Sequence, residues 1–164
     1  MAIEYQKVRL AECGREQFNI RVDPKISLEK LIDLGEYDWV HPVFRDRCFD
    51  SSPSDQSPYE ITAYLISLTQ ISTAIEVNHW LETTGLRSLQ LCELLTFACA
   101  YPAKQREYAI LATGATIESS GVVLVPYLAG GERDRALGFN WAGDGWGEFA
   151  RFAATPGSRT AFPL

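Results

Sequence analysis

Leu137-Gly138-Phe139-Asn140-Trp141-Ala142-Gly143-Asp144-Gly145-Trp146-Gly147-Glu148-Phe149-Ala150-Arg151-Phe152 is the stretch whose reading decides the fold. Leu137, Phe139 and Trp141 recur at every second position with Gly138 and Asn140 between them, the period of a strand with one apolar face. Phe149 to Ala154 reads as a further strand, and Gly143, Gly145 and Gly147 mark the connection as a loop carrying Trp146. Just upstream, Tyr108 to Ile117 and Val122 to Leu128 are predicted strands separated by Ser119-Ser120-Gly121, with Gly130-Gly131 as the next turn. The end of the domain is therefore expected to be a β-meander.

Ahead of it the period becomes helical. From Ser88 to Ala100 the residues Leu91, Cys92, Leu94, Leu95, Ala98 and Cys99 cover more than half a helical wheel, as in a helix packed between other elements. Tyr101-Pro102 ends that helix, because the residue before proline is pushed out of helical geometry. An earlier helix is expected after Ser72 as N-cap, with Ile71, Ala74, Ile75, Val77 and Leu81 in one arc and Gly85 as its stop. Tyr59 to Gln70, rich in Tyr, Ile and Thr, is a predicted strand. The implied class is α+β: two helices packed on a curved, mostly antiparallel sheet with a C-terminal meander, plus an N-terminal strand-helix arm.

In that arm Phe18 to Val22 alternates as a strand, and Ser27 is placed to cap a helix through Leu28, Leu31, Ile32 and Leu34, with Gly35 in the left-handed position that closes it. Tyr37-Asp38-Trp39-Val40-His41-Pro42 follows as an aromatic anchor. Residues 50–58 read Asp-Ser-Ser-Pro-Ser-Asp-Gln-Ser-Pro, too polar to pack. The expected organisation is an arm over 1–49, a linker over 50–58, a body over 59–155 and a tail over 156–164.

A chain of 164 residues, 46% of them hydrophobic, is long enough for one core without disulfide staples. Its formal charge of −6 provides no field to hold phosphates, so neither nucleic acid nor an anionic membrane is an expected partner. No apolar run approaches the ~20 residues of a spanning helix, and Met1-Ala2-Ile3-Glu4-Tyr5 has no signal-peptide character, so a cytoplasmic location is expected. Cys13, Cys48, Cys92 and Cys99 fit no zinc or redox spacing and read as reduced thiols.

From Tyr37 onward the chain resembles a family of small uncharacterised bacterial proteins. The resemblance rests on Asp38-Trp39-Val40, Gly85-Leu86-Arg87, Leu91-Cys92-Glu93-Leu94-Leu95-Thr96-Phe97, Tyr101-Pro102-Ala103-Lys104-Gln105-Arg106, Ile110 to Gly114, Val125-Pro126, Trp146 and Arg151-Phe152. It implies no activity. Where that family usually has Pro-Ala-Thr after the Gly-x-Arg turn, this chain has Ser88-Leu89-Gln90. In architecture the element order is similar to C-type-lectin-like and formylglycine-generating-enzyme-like folds. The lectins' calcium motif is absent, however, and no cysteine lies in the meander where the enzyme's reactive pair would be.

The expected function is that of a binding module using the Trp/Gly loop, with an unknown protein or small molecule as partner and no cofactor. Aromatic rings on permissive backbone give large contact area at low entropic cost. Trp146, flanked by Asn140 and Asp144, is the leading candidate; Trp141, on the strand face of Leu137 and Phe139, is assigned mainly to the core. Arg135, with Arg133 and Arg151, would clasp an anion or pair with Glu132, Asp134 and Glu148 on the surface. Asn140, Asp144, Glu132 and Asp134 have oxygens suited to calcium but read as turn formers, so no metal is expected. An alternative is a small enzyme using His41, Cys48 or an acidic residue between arm and meander, although no nucleophile motif supports it. A second alternative is a structural role, with exposed apolar surface buried in a homodimer.

Overall fold

The computed structural model describes residues 10–46, 56–70 and 72–157. Expectations for the first nine residues, for the polar stretch up to residue 55, for Cys48 and Ile71, and for the tail from residue 158 lie outside the described residues. In chain order the elements are β1 (Glu12–Val22), α1 (Leu28–Leu34), β2 (Trp39–Val40), α2 (Val43–Asp46), β3 (Tyr59–Leu68), α3 (Ala74–Thr83) and β4 (Leu86–Ser88). Then come α4 (Leu91–Ala100), α5 (Lys104–Glu107), β5 (Ala109–Leu111), β6 (Ile117–Ser119), β7 (Val122–Gly130), β8 (Arg135–Trp141) and β9 (Ala150–Pro156). All described strands join one mixed sheet of order β1-β3-β9-β5-β7-β8-β2, with β4 on β9 and β6 on β7, so the protein is α+β. No helix among the described residues is long and apolar enough to cross a membrane.

Strand alternation divides the core between the two faces of this sheet. Leu65, Ile110, Leu128, Leu137, Phe139 and Ala153 point to one face, where α4 and α1 cover them through Leu94, Leu95, Phe97, Leu31 and Ile32. Their neighbours Ile66, Leu111, Val125, Phe152 and Ala154 point to the other, under Ala74, Val77 and Leu81 of α3. The two main helices thus lie on opposite faces.

The expected meander is interrupted. β7 and β8 form an antiparallel hairpin, but β9 leaves β8 and inserts between β3 and β5, antiparallel to the first and parallel to the second. The reason is in its composition: Phe152, Ala153, Ala154 and Thr155 are all buried, and a strand apolar on both faces belongs in a sheet interior. It starts at Ala150, leaving Phe149 88% exposed. The strand predicted over Tyr108 to Ile117 is split into β5 and β6 by a turn closed by Ala115 N–H donating to Ala112 O at 3.1 Å. The N-terminal segment does not stand apart: β1 pairs with β3 from Val22↔Tyr59 to Glu12↔Leu68, and β2 pairs in parallel with β8.

Cap chemistry accounts for the helix boundaries. Ser27 caps α1 by accepting from Lys30 N–H at 3.1 Å, as expected. Gly35, expected in the left-handed region, has φ −71°, and Glu36 takes φ 48° in its place. Gly35 is required for space, since a side chain there would run into the Tyr37 ring. The N-cap of α3 is Thr73, which exchanges capping-box hydrogen bonds with Glu76 at 3.4 Å; Ser72 is engaged elsewhere. Ile75, expected on the buried arc, is 79% exposed.

Candidate functional site

The loop after β8 is fastened to the start of α3. Ser72 and Trp146 exchange backbone hydrogen bonds at 3.2 and 3.0 Å, Ala74 N–H donates to Ala142 O at 3.3 Å, and Ala142 N–H donates to Val123 O at 2.9 Å. This clamp exchanges the roles expected of the two tryptophans. Trp146 turns inward against the second core cluster, its ring centroid 6.3 Å from that of Tyr127 and its indole Nε1 buried without an acceptor. Trp141 is 55% exposed, because it lies one step beyond Phe139, where the strand has run past the apolar cluster. Its ring rests on Gly143: a Cβ there would sit 2.6 Å from the indole Cζ2. The six-membered part of the ring is therefore in close contact with the Gly143 main chain, while more than half of the residue stays exposed. Asn140 and Asp144 flank it, both half-buried; Asn140 Oδ1 accepts from Trp141 N–H at 3.2 Å, and Asp144 N–H donates to Trp141 O at 3.0 Å.

Ile75, Val122, Val123, Trp141 and Phe149 are five of the seven exposed large hydrophobics among the described residues; strand alternation puts Val122 on the sheet face of Leu124 and Trp141, and Val123 on the face that α3 covers. Single exposures need no explanation, but a half-exposed tryptophan with an exposed valine on the same sheet face does.

Arg135 is not on the surface. It is 7% exposed and lies beneath the Tyr37 ring, with its guanidinium carbon 5.0 Å from the ring centroid. Its Nη1 donates to Gly35 O, and its Nη2 donates to Ala98 O at 3.0 Å and to Gln105 Oε1 at 3.1 Å. Gly35 and Ala98 are at the C-terminal ends of α1 and α4, where unpaired carbonyls and the helix dipoles concentrate negative partial charge. The alternation that points Leu137 and Phe139 inward also points Arg135 inward, so it serves as a shared C-cap for two helices. No carboxylate pairs with Arg133, Arg135 or Arg151 among the described residues; Arg151 donates to Glu148 O at 2.8 Å and lies over the Tyr108 ring. Burial pushes the Tyr37 hydroxyl well above its ordinary value, with Arg135 opposing the shift. Asp38 Oδ2 accepts from Arg135 N–H at 2.7 Å, and Gln105 Nε2 donates to Ala129 O and Ala136 O at 2.7 and 3.1 Å. The Asp-Trp-Val motif thus ties the N-terminal segment to the β7–β8 hairpin, and the Gln of Tyr-Pro-x-x-Gln ties α5 to it.

A second polar constellation lies at the start of α4. Glu93 is fully buried, yet both of its oxygens are satisfied. Oε1 accepts from Arg87 Nη1 at 2.8 Å and from Gln90 N–H at 2.7 Å, while Oε2 accepts from Arg87 Nη2 at 3.0 Å and from the Tyr59 hydroxyl at 3.3 Å. Gln56, Tyr59, Arg87, Gln90 and Gly157 line an open cavity of about 360 Å³ over this group. Glu93→Gln keeps the shape but replaces one acceptor oxygen with a donor and removes the charge. It is expected to cost about 2 kcal/mol of unfolding free energy. An unchanged urea midpoint would show that the carboxylate does not hold the network.

Of the residues named for an enzymatic site, Cys48 lies outside the described residues and His41 is engaged in a turn and in packing. His41 Nδ1 accepts from Val43 N–H at 3.1 Å, and its ring packs edge-on against Trp39 and Phe139. Burial raises the pKa of the Cys92 and Cys99 thiols, the opposite of nucleophile activation. Asp134 Oδ1 accepts from Gly131 N–H at 2.7 Å in the β7–β8 turn. Among the described residues no three of His, Cys, Asp and Glu converge in a metal-binding arrangement. Comparison with protein-family models, curated proteins and solved structures returned no match.

Proposed function

We propose that this chain is a recognition module that docks another protein through the apolar surface around Trp141. The observation that carries this reading is the Trp141 ring, backed by Gly143 and half exposed on a loop clamped to α3 and β7. A ring already held in place loses little further entropy on binding, and a buried interfacial tryptophan typically contributes about 2 kcal/mol or more. Val122, on the same sheet face, extends the apolar area, and Asn140 and Asp144 supply polar groups beside the ring. Trp146 contributes by anchoring the loop, and Arg135 takes no part. The net charge of −6 leaves nucleic acid and anionic membranes as poor counterparts.

The test places a benzophenone photo-crosslinking amino acid at position 122, on the sheet face of Trp141, in the full chain. Irradiation in extract is expected to yield a discrete adduct that disappears with Trp141→Ala and persists with Trp39→Ala. Adducts indifferent to Trp141→Ala would overturn the assignment. A self-adduct, with a dimer mass by light scattering, would identify the docked protein as a second copy of this chain.

A further inference from the structure

Arg87 has donors to spare. A guanidinium carries five N–H groups. Glu93 takes one from Nη1 and one from Nη2, and Ser88 O takes the second from Nη1 at 3.1 Å. The remaining two, on Nε and Nη2, lie side by side along one edge of the planar group. Among the described residues neither has an acceptor. They are not sealed in, since the Arg87 side chain is 32% exposed and borders the cavity over Glu93.

We infer that this cavity is a binding site for a monocarboxylate, whose two oxygens accept in parallel from Arg87 Nε and Nη2. The paired edge matches a carboxylate's two coplanar oxygens. Glu93, fully buried and bonded on both oxygens, fixes the guanidinium plane so that the free edge is presented ready-made. It also balances the arginine charge, so the pair offers no net positive field and disfavours a dianionic phosphate more than a singly charged carboxylate. Room comes from the chain turn: Gly85 has φ 77°, and Gly157 packs so close to it that an added Cβ would lie 3.2 Å from Gly85 O. The cavity volume of about 360 Å³ is at the lower end for small-molecule sites, enough for an amino-acid-sized acid or the last residues of a peptide.

The test is a titration of the ¹⁵N-labelled full chain, reading the Arg87 Nε–H resonance at constant ionic strength. The additions are sodium acetate, the dipeptide acid N-acetyl-Ala-Gly, its C-terminal amide and sodium chloride. Both acids are expected to shift the resonance saturably, and the amide and chloride to leave it in place. Tighter binding of the dipeptide acid than of acetate, by about tenfold, would assign the site to peptide C-termini, and equal affinities to free small acids. Arg87→Lys keeps a charge opposite Glu93 but loses the edge, so it should weaken acid binding at least about tenfold. Acid and amide acting alike, no saturable shift, or undiminished binding in a folded Arg87→Lys would each overturn the proposal. If Arg87→Lys does not fold, the acid-against-amide comparison on the unaltered chain decides.

Discussion

Arg135→Met is expected to bring the protein close to spontaneous unfolding, with a loss of about 3–5 kcal/mol from a total that for such domains is roughly 5–15 kcal/mol. Two effects oppose each other. Methionine removes a buried cation, which recovers desolvation energy, and it fills part of the space with apolar atoms. Against that, Gly35 O, Ala98 O and Gln105 Oε1 all lose their donor in a site closed to water. Two of these are main-chain carbonyls that no side-chain change can remove, and each orphaned buried acceptor costs about 1–3 kcal/mol. The orphans outweigh the recovered desolvation. Arg135→Lys, which keeps the charge but only one nitrogen, should fall between the two. Urea denaturation followed by far-UV circular dichroism measures the series, and an Arg135→Met variant as stable as the unaltered chain would show that the two helix ends do not depend on this side chain.

Arg135 also shows where reading the sequence stops. It sits in Glu132-Arg133-Asp134-Arg135, a run that looks like a solvated turn, and its partners are 30, 37 and 100 positions away. One signal was present: Arg135 has the parity of Leu137 and Phe139, so strand alternation alone points it inward. Trp141 has that parity too, and there the rule misleads, because alternation gives the direction of a side chain and not the place where the opposing layer ends. The clamp that turns Trp146 inward joins it to Ser72 across the chain, a non-local pairing without a local signature. Local chemistry was more legible. Ser27 as a cap, the glycine stop after α3 and the proline stop after α4 all follow from neighbouring residues. Thr73-x-x-Glu76 was readable as a capping box, a better signal than Ser72 alone. The unbroken apolar run Phe152-Ala153-Ala154 likewise carried the information that β9 is interior, which the expectation of a simple meander overlooked.

The motifs singled out in the sequence divide along the same line. Asp38 holds the hairpin to the N-terminal segment, Gln105 holds it to α5, and Glu93 holds Arg87 and Tyr59 at the cavity. These are positions where a polar side chain is fixed by several partners at once. Trp141 differs, since its ring is 55% exposed and belongs to neither core cluster.

The contrast between the two loop tryptophans underlies the recognition reading, and it has a large thermodynamic signature. Trp146→Ala opens a void against Tyr127 and loosens the Ser72 bridge, which should cost about 3 kcal/mol or more. Trp146→Phe should be far milder, because it also removes an indole N–H that is buried without an acceptor. Trp141→Ala removes a ring that is 55% exposed and should stay within about 0.5 kcal/mol. The most direct test is the unfolding free energy of Trp141→Ala and Trp146→Ala measured side by side in urea: a loss confined to Trp146→Ala is the predicted result, and a loss as large or larger in Trp141→Ala would contradict a displayed Trp141 on a loop anchored by Trp146.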